Sequence, residues 1–192
     1  MGYALEIEDT PGEVPGGTGV LLLHPSTGET DRIDTDFLKT DTDHFLVIST
    51  RTTAREVKQK LEYYDVDESR ADILDTLSIE RGYSRRRSDH VHYVSAPDHV
   101  DGIVEHVERF LEAYDGKRRI SFDSVTELAY YAGEQEALEA TERILELLDV
   151  HHAVGLFHLS REVHDQEVLD RFAELFDGVV SLDESGDVSA EF

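Results

Sequence analysis

The residues best placed to do chemistry follow the first strong apolar run. Gly19-Val-Leu-Leu-Leu23 leads directly into His24-Pro-Ser-Thr-Gly-Glu-Thr30. A loop that cradles phosphate reads G-x-x-x-x-G-K-[ST] between a strand and a helix. Gly28 and Thr30 stand where its second glycine and its hydroxyl residue belong, but Leu23 replaces the first glycine and Glu29 replaces the lysine. The lysine normally meets the β- and γ-phosphates, and the hydroxyl faces the metal. A carboxylate in the lysine's place turns that attraction into repulsion, roughly 4 kcal/mol per unit pair at ~4 Å and an effective dielectric of ~20. The backbone of Ser26, Thr27, Gly28, Glu29 and Thr30, with the helix terminus beyond it, keeps the capacity to hold a small anion. It does not suffice to hold a triphosphate tightly. Read alone, the stretch is a Ser/Thr/Gly turn ahead of a helix.

Other reactive side chains give weaker patterns. Of the 10 histidines, His90 and His92 share one strand face, while His151, His152, His158 and His164 gather near one later strand. Structural zinc sites bring closely spaced ligands in two groups, so no metal site is expected. Ser49, Ser95, Ser124 and Ser160 sit near strand ends, but none lies in a G-x-S-x-G elbow. The Asp98/Asp101 pair suits a helix start, where carboxylates are favoured, and Asp123/Glu127 has acid–base potential. Arg81, Arg85, Arg86 and Arg87 form the one basic cluster. It reads as a solvated loop, with contact to an acidic partner, an anion or nucleic acid as the alternative.

These residues need strands and helices to hold them. Residues 1–18 read as an edge strand or arm and a loop rich in Pro and Gly, and residues 19–192 as one domain. Gly19–Leu23, Phe45–Ile48, Val91–Val94, Arg119–Asp123 and His152–Leu159 are apolar runs of strand length. Between them, Thr53–Tyr64, Pro97–Tyr114, Leu138–Leu148 and Val168–Phe176 carry apolar residues at helical spacing. Val179–Leu182 and Val188–Phe192 finish the sheet as a hairpin around Ser185-Gly186. Such alternation predicts an α/β fold in three layers, a mostly parallel sheet with helices on both faces. Ligands bind such sheets beyond the carboxyl ends of the strands.

Composition narrows the classes further. With 43 Asp and Glu against 18 Lys and Arg, the 192-residue chain carries a formal charge of −25. Spread along the chain, that excess argues against general nucleic-acid binding, which needs clustered cations. A hydrophobic fraction of 39% is enough for a core. Cysteine is absent, which excludes disulfides, thiolate metal sites and a thiol nucleophile. Only Lys39, Lys58, Lys60 and Lys117 are lysines. An acidic, lysine-poor, cysteine-free chain fits a high-salt cytoplasm, where a Debye length of ~3 Å mutes self-repulsion. No apolar run approaches the ~20 residues of a membrane span, and the N-terminus is not signal-like, so a cytoplasmic protein is expected.

The stretch Arg118-Arg-Ile-Ser-Phe-Asp-Ser-Val-Thr-Glu-Leu128 resembles the Walker B region of RecA/KaiC-type ATPases, where an apolar strand ends in Asp followed by Ser, an aliphatic residue and Ser or Thr. Phe45-Leu-Val-Ile-Ser-Thr50 with Tyr63-Tyr-Asp-Val-Asp67 is similar to the second strand and helix of KaiC-like domains. Gly155 to His164 and Leu175 to Val180 resemble the end of KaiC/RecA-like proteins of halophilic archaea. The resemblance spans residues 19 to about 183. It implies a RecA-like fold, a metal-proximal role for Asp123 with Ser124 beside it, and a magnesium-ligand role for Thr30. It also exposes a departure. KaiC-like ATPases carry acidic residues just after the second strand, one of them the base that activates water. Here that stretch is Ser49-Thr-Arg-Thr-Thr53, with no carboxylate to orient a water. Phosphate cation and water base are both missing. The expectation is a divergent member that does not hydrolyse ATP, holds no ATP or magnesium cofactor, and acts in regulation or signalling through protein partners, with a homo-oligomer open. The alternatives are a weak ATPase or nucleotide switch, and a nucleic-acid accessory protein using Arg85–Arg87.

Overall fold

The computed structural model describes residues 1–83 and 88–192, so Arg85, Arg86 and Arg87 lie outside the described residues. Among the described residues there are ten strands and six α-helices. They are β1 (Gly2–Ala4), β2 (Glu13–Pro15), β3 (Gly19–His24), α1 (Asp31–Lys39), β4 (His44–Ser49), α2 (Ala54–Tyr63), β5 (Ala71–Asp75), β6 (Val91–Tyr93), α3 (Val100–Ala113), β7 (Arg118–Asp123), α4 (Val125–Ala132), α5 (Glu134–His151), β8 (Val154–Ser160), α6 (Gln166–Ala173), β9 (Gly178–Leu182) and β10 (Val188–Glu191).

Eight strands form one sheet in the order β10-β9-β3-β8-β7-β4-β5-β6, parallel throughout except for the β9–β10 hairpin. Strands buried on both faces alternate their side chains between two cores. Leu21, Ile48, Ile120, Phe122 and Phe157 meet α3, α4, α5 and α6 on one face. Val20, Leu22, Phe45, Val47 and Leu156 meet α1 and α2 on the other. Each fully buried Leu, Ile or Phe contributes about 1.5–3 kcal/mol. This is the three-layer α/β architecture that the periodicity predicts. Among the described residues no helix is long and apolar enough to cross a membrane.

The first 18 residues do not hang free. β1 and β2 pair antiparallel, and Tyr3, Leu5, Ile7 and Val14 are buried in the α1/α2-side core. The Tyr3 hydroxyl donates to the His152 carbonyl at 2.8 Å. Beneath it lies Arg119, fully buried, with Nη2 donating to the Ala4 carbonyl at 2.7 Å and its guanidinium over the rings of Phe37 and Tyr3. Its Nε and Nη1 have no partner among the described residues. Burial holds the Arg119 pKa down to about 10.

Element ends follow local chemistry. Thr53 caps α2, accepting from the Glu56 amide while the Glu56 carboxylate accepts from the Thr53 amide, a reciprocal capping box. α5 runs further than its apolar stripe, to His151, and stops because His152 turns left-handed at φ 55°. β8 therefore starts at Val154, two residues later than the apolar run beginning at His152 suggests. β5 and α4 are elements that the apolar runs did not mark.

Candidate functional site

Register brings the strand ends level. His24 pairs with Ser160, and Ser49 pairs with both Asp123 and Asp75. The loop of residues 25–30 therefore opens beside the Asp123 turn, at the carboxyl edge where the sequence places a site. Within that loop the Gly28 amide donates to the Pro25 carbonyl at 2.9 Å, closing a tight turn. Ser26, Thr27 and Glu29 are exposed, whereas Thr30 is buried where α1 begins. Ser26 meets Ser160 hydroxyl to hydroxyl at 2.7 Å, and the Ser160 amide donates to the Thr126 hydroxyl at 2.8 Å. The loop thus reaches α4 through β8 rather than touching Asp123 directly.

Asp123 is already engaged. Arg51 forks onto it, Nε to Oδ1 at 2.8 Å and Nη2 to Oδ2 at 2.9 Å. Bidentate pairing of this kind is strong and fixes orientation. Arg51 stands in the stretch after β4 where the resemblance calls for an acidic residue. The neighbouring Thr50 hydroxyl donates to the Ser124 carbonyl at 2.8 Å and accepts from the Ser124 amide at 2.6 Å. The Ser124 hydroxyl donates to Glu127, which takes that carboxylate into the turn. Ser124 and Asp123 are joined by a cis peptide bond.

Below this pair lies a second carboxylate. Asp34 of α1 is fully buried and accepts from Lys60 Nζ at 3.0 Å, from His158 Nε2 at 2.8 Å and from the Ser121 hydroxyl. Burial alone would raise its pKa; Lys60 and then His158 outweigh that and hold it well below the usual carboxylate range. Asp123 is likewise held down, by His158 and Arg51 against burial. His158 stands between the two, its Nδ1 3.8 Å from Asp123. His24 adds a ring whose centroid lies 5.9 Å from that of His158, edge-on. A carbonyl only accepts, so His24 Nδ1, 2.8 Å from the Pro25 carbonyl, carries the hydrogen. Its Nε2 is a buried acceptor without a partner among the described residues. Burial, first, and then the neighbouring His158 and Arg51 keep His24 below its ordinary pKa.

The sequence residues Ser26–Thr30, Asp123 and Ser124 thus share one edge, while Arg51, Asp34, Lys60 and His158 complete the polar layer without having been singled out for it. The signal was alternation. In β7, Arg119, Ser121 and Asp123 all face the α1/α2 side, and in β8 His158 falls on the same face. Polar residues on a buried strand face need partners. The cleft beside the loop, of about 1290 Å³, is lined by Glu6, Glu8, Glu29, Asp65, Asp183 and Glu184 against Arg32 and Lys39. Elsewhere, His90, His92 and the Tyr114 hydroxyl converge on Asp72 at 3.0–3.3 Å. Among the described residues no group of three or more His, Asp or Glu side chains is arranged to hold a metal.

Known structures share this architecture. A KaiC-like protein of the hyperthermophilic archaeon Pyrococcus horikoshii OT3 superposes with a TM-score of 0.64 at 15% identity, covering 93% of this chain and 78% of that one. A second protein of the same organism matches with a TM-score of 0.64 at 12% identity, over 91% of this chain and 86% of its own. An ATPase from the type III secretion system of pathogenic bacteria matches with a TM-score of 0.62 at 11% identity, over 90% of this chain and 53% of its own. At these identities the likeness is one of fold, RecA/KaiC-like. No curated protein matches in sequence. The chain belongs to a family of unknown function, DUF7090, whose model matches residues 1–192.

Proposed function

We propose that this member of the DUF7090 family is a RecA/KaiC-like domain that does not hydrolyse ATP and serves a regulatory or signalling role through protein partners. The observation that carries the reading is the Arg51–Asp123 fork. A magnesium ion approaching Asp123 meets a guanidinium already spanning both carboxylate oxygens. Unit charges of like sign at ~4 Å repel by roughly 4 kcal/mol at an effective dielectric of ~20. On the phosphate side, Glu29 and the acidic cleft around it oppose a polyphosphate. The residue that would activate water is replaced by a cation, and the residue that would hold the metal is consumed by it. A chain of this kind keeps the scaffold and its surfaces, which are what a partner protein reads.

The test is ATP turnover by the full chain in molar KCl with magnesium. No hydrolysis above background is expected. Turnover that disappears in Asp123→Asn would refute the reading in favour of a weak ATPase. Nucleotide affinity that rises in Glu29→Lys would support it further.

A further inference from the structure

A second cleft, of about 670 Å³, opens at the same edge of the sheet but on the far side of β4, between α2 and the β5–β6 margin. That volume suits a small-molecule ligand. Arg55 and Lys58 line it from α2, and Ser78, Tyr83, Val91 and Tyr93 line it from the opposite side. Arg55 and Lys58 are three apart, so they share one helix face. The scaffold under them is fixed. The capping box pins the start of α2, and the Asp75 carboxylate accepts from the amides of Ala54, Leu77 and Ser78 and from the Ser78 hydroxyl at 2.6–2.9 Å. The Tyr83 amide donates to the Ser78 carbonyl at 2.9 Å.

Charge distinguishes this cleft. Lys39 pairs with Asp36, Lys60 with Asp34 and Lys117 with Asp41. Among the described residues, Lys58 is the lysine that forms no ion pair with a carboxylate, and Arg55 beside it forms none either. In a chain of charge −25, two adjacent unpaired cations on the wall of a cavity are the exception. Glu62, one turn beyond Lys58, marks the far limit of the positive wall, and Asp75 is buried with its oxygens occupied. Opposite stands the exposed phenol ring of Tyr83, with Val91 on the same wall, a surface on which a flat ring can lie. We infer that the α2/β5–β6 cleft binds a small phosphate monoester bearing a flat ring, with Arg55 and Lys58 on the phosphate and Tyr83 against the ring. This inference does not rest on the state of the Gly28 loop, and it supplies a small-molecule input to a chain that turns nothing over.

Titration calorimetry of the full chain tests it, with adenosine 5′-monophosphate and riboflavin 5′-phosphate as probes and adenosine and inorganic phosphate as fragments. At least one ring phosphate should saturate the protein with a Kd below ~1 mM and bind about tenfold tighter than either fragment. Arg55→Glu with Lys58→Glu should weaken that binding by about 100-fold, and Tyr83→Ala by about tenfold. Arg109→Glu on the exposed face of α3 is a charge-reversal control away from the cleft and should leave it unchanged. Arg55 and Lys58 are exposed; if the double reversal nonetheless unfolds, Arg55→Gln with Lys58→Gln reads the same loss. No saturation by either ring phosphate, binding unmoved by both double variants, or binding of an oligonucleotide alone would overturn the inference. ATP turnover is a separate readout, so failure here and failure of the non-hydrolysing reading are told apart.

Discussion

Replacing Lys60 by Met should expose how the buried Asp34 is kept charged. Lys60 Nζ lies 3.0 Å from Asp34, with 14% of its side chain exposed and none of the carboxylate. Breaking a buried pair by removing one partner costs about 3–5 kcal/mol, because the remaining charge is left uncompensated. For a chain of this length each kcal/mol moves Tm by ~2–4 °C, so a fall of ~6–20 °C is expected. His158 and Ser121 stay bonded to Asp34 and set the loss toward the lower half of that range. Adding Asp34→Asn should recover most of it, since an amide keeps neutral hydrogen bonds without a buried charge. The pH response should also change. In the native chain the Asp34 pKa is held below its unfolded value, so its contribution is fully present above pH ~4 and is lost only as pH falls through the lower, folded pKa. Without Lys60, less opposes the effect of burial and the folded pKa moves up from its native position. The variant's deficit should then shrink as pH falls through that higher folded pKa. Urea melts of the single and double variants between pH 4 and 8 measure both effects. A Lys60→Met loss under ~1 kcal/mol, the size of a surface pair, would refute the reasoning.

Two further substitutions probe the scaffold. Arg119→Met should be neutral or stabilising, because the guanidinium is buried with two nitrogens unpartnered and no carboxylate on it; a loss above ~2 kcal/mol in thermal melts would contradict this. Since burial depresses the Arg119 pKa to about 10, the native chain should gain on this variant as pH rises above about 10, where the unfolded state still holds the proton and the folded state has lost it. Gly155→Ala should cost ~1–3 kcal/mol, because its Cβ would stand 2.7–2.8 Å from the Phe157 ring and a Leu148 methyl in the packed α5-side core.

Apolar runs located β3, β4, β7 and β8 because each is buried on both faces and cannot disguise its composition, and they also marked β9 and the partly exposed edge strand β10. β5 escaped because Ala71-Asp-Ile-Leu-Asp75 looks half polar. Both aspartates are buried and satisfied, Asp75 by local amides and Asp72 by His90, His92 and Tyr114, which are distant in sequence. α4 escaped because Tyr130 and Tyr131 on its outer face blur the stripe formed by the buried Val125, Leu128 and Ala129. The site was legible in part. The departures at Leu23, Glu29 and Ser49–Thr53 are visible in one dimension, and so is Asp123 at a strand end. That Arg51 reaches Asp123 depends on β4 and β7 being neighbours in the sheet, with Ser49 opposite Asp123. Nothing in local sequence encodes that adjacency. The same holds for Lys60 and Asp34, which meet only because α1 and α2 cover the same face.

The fork at the top of the sheet has one more implication. A protein that recruits a dissolved ion or phosphate to balance its carboxylates gains stability by mass action, in proportion to the logarithm of that species' concentration. Arg51 and Lys60 supply the balancing charge from within the covalent chain. Charge balance at that edge is therefore supplied by the fold itself.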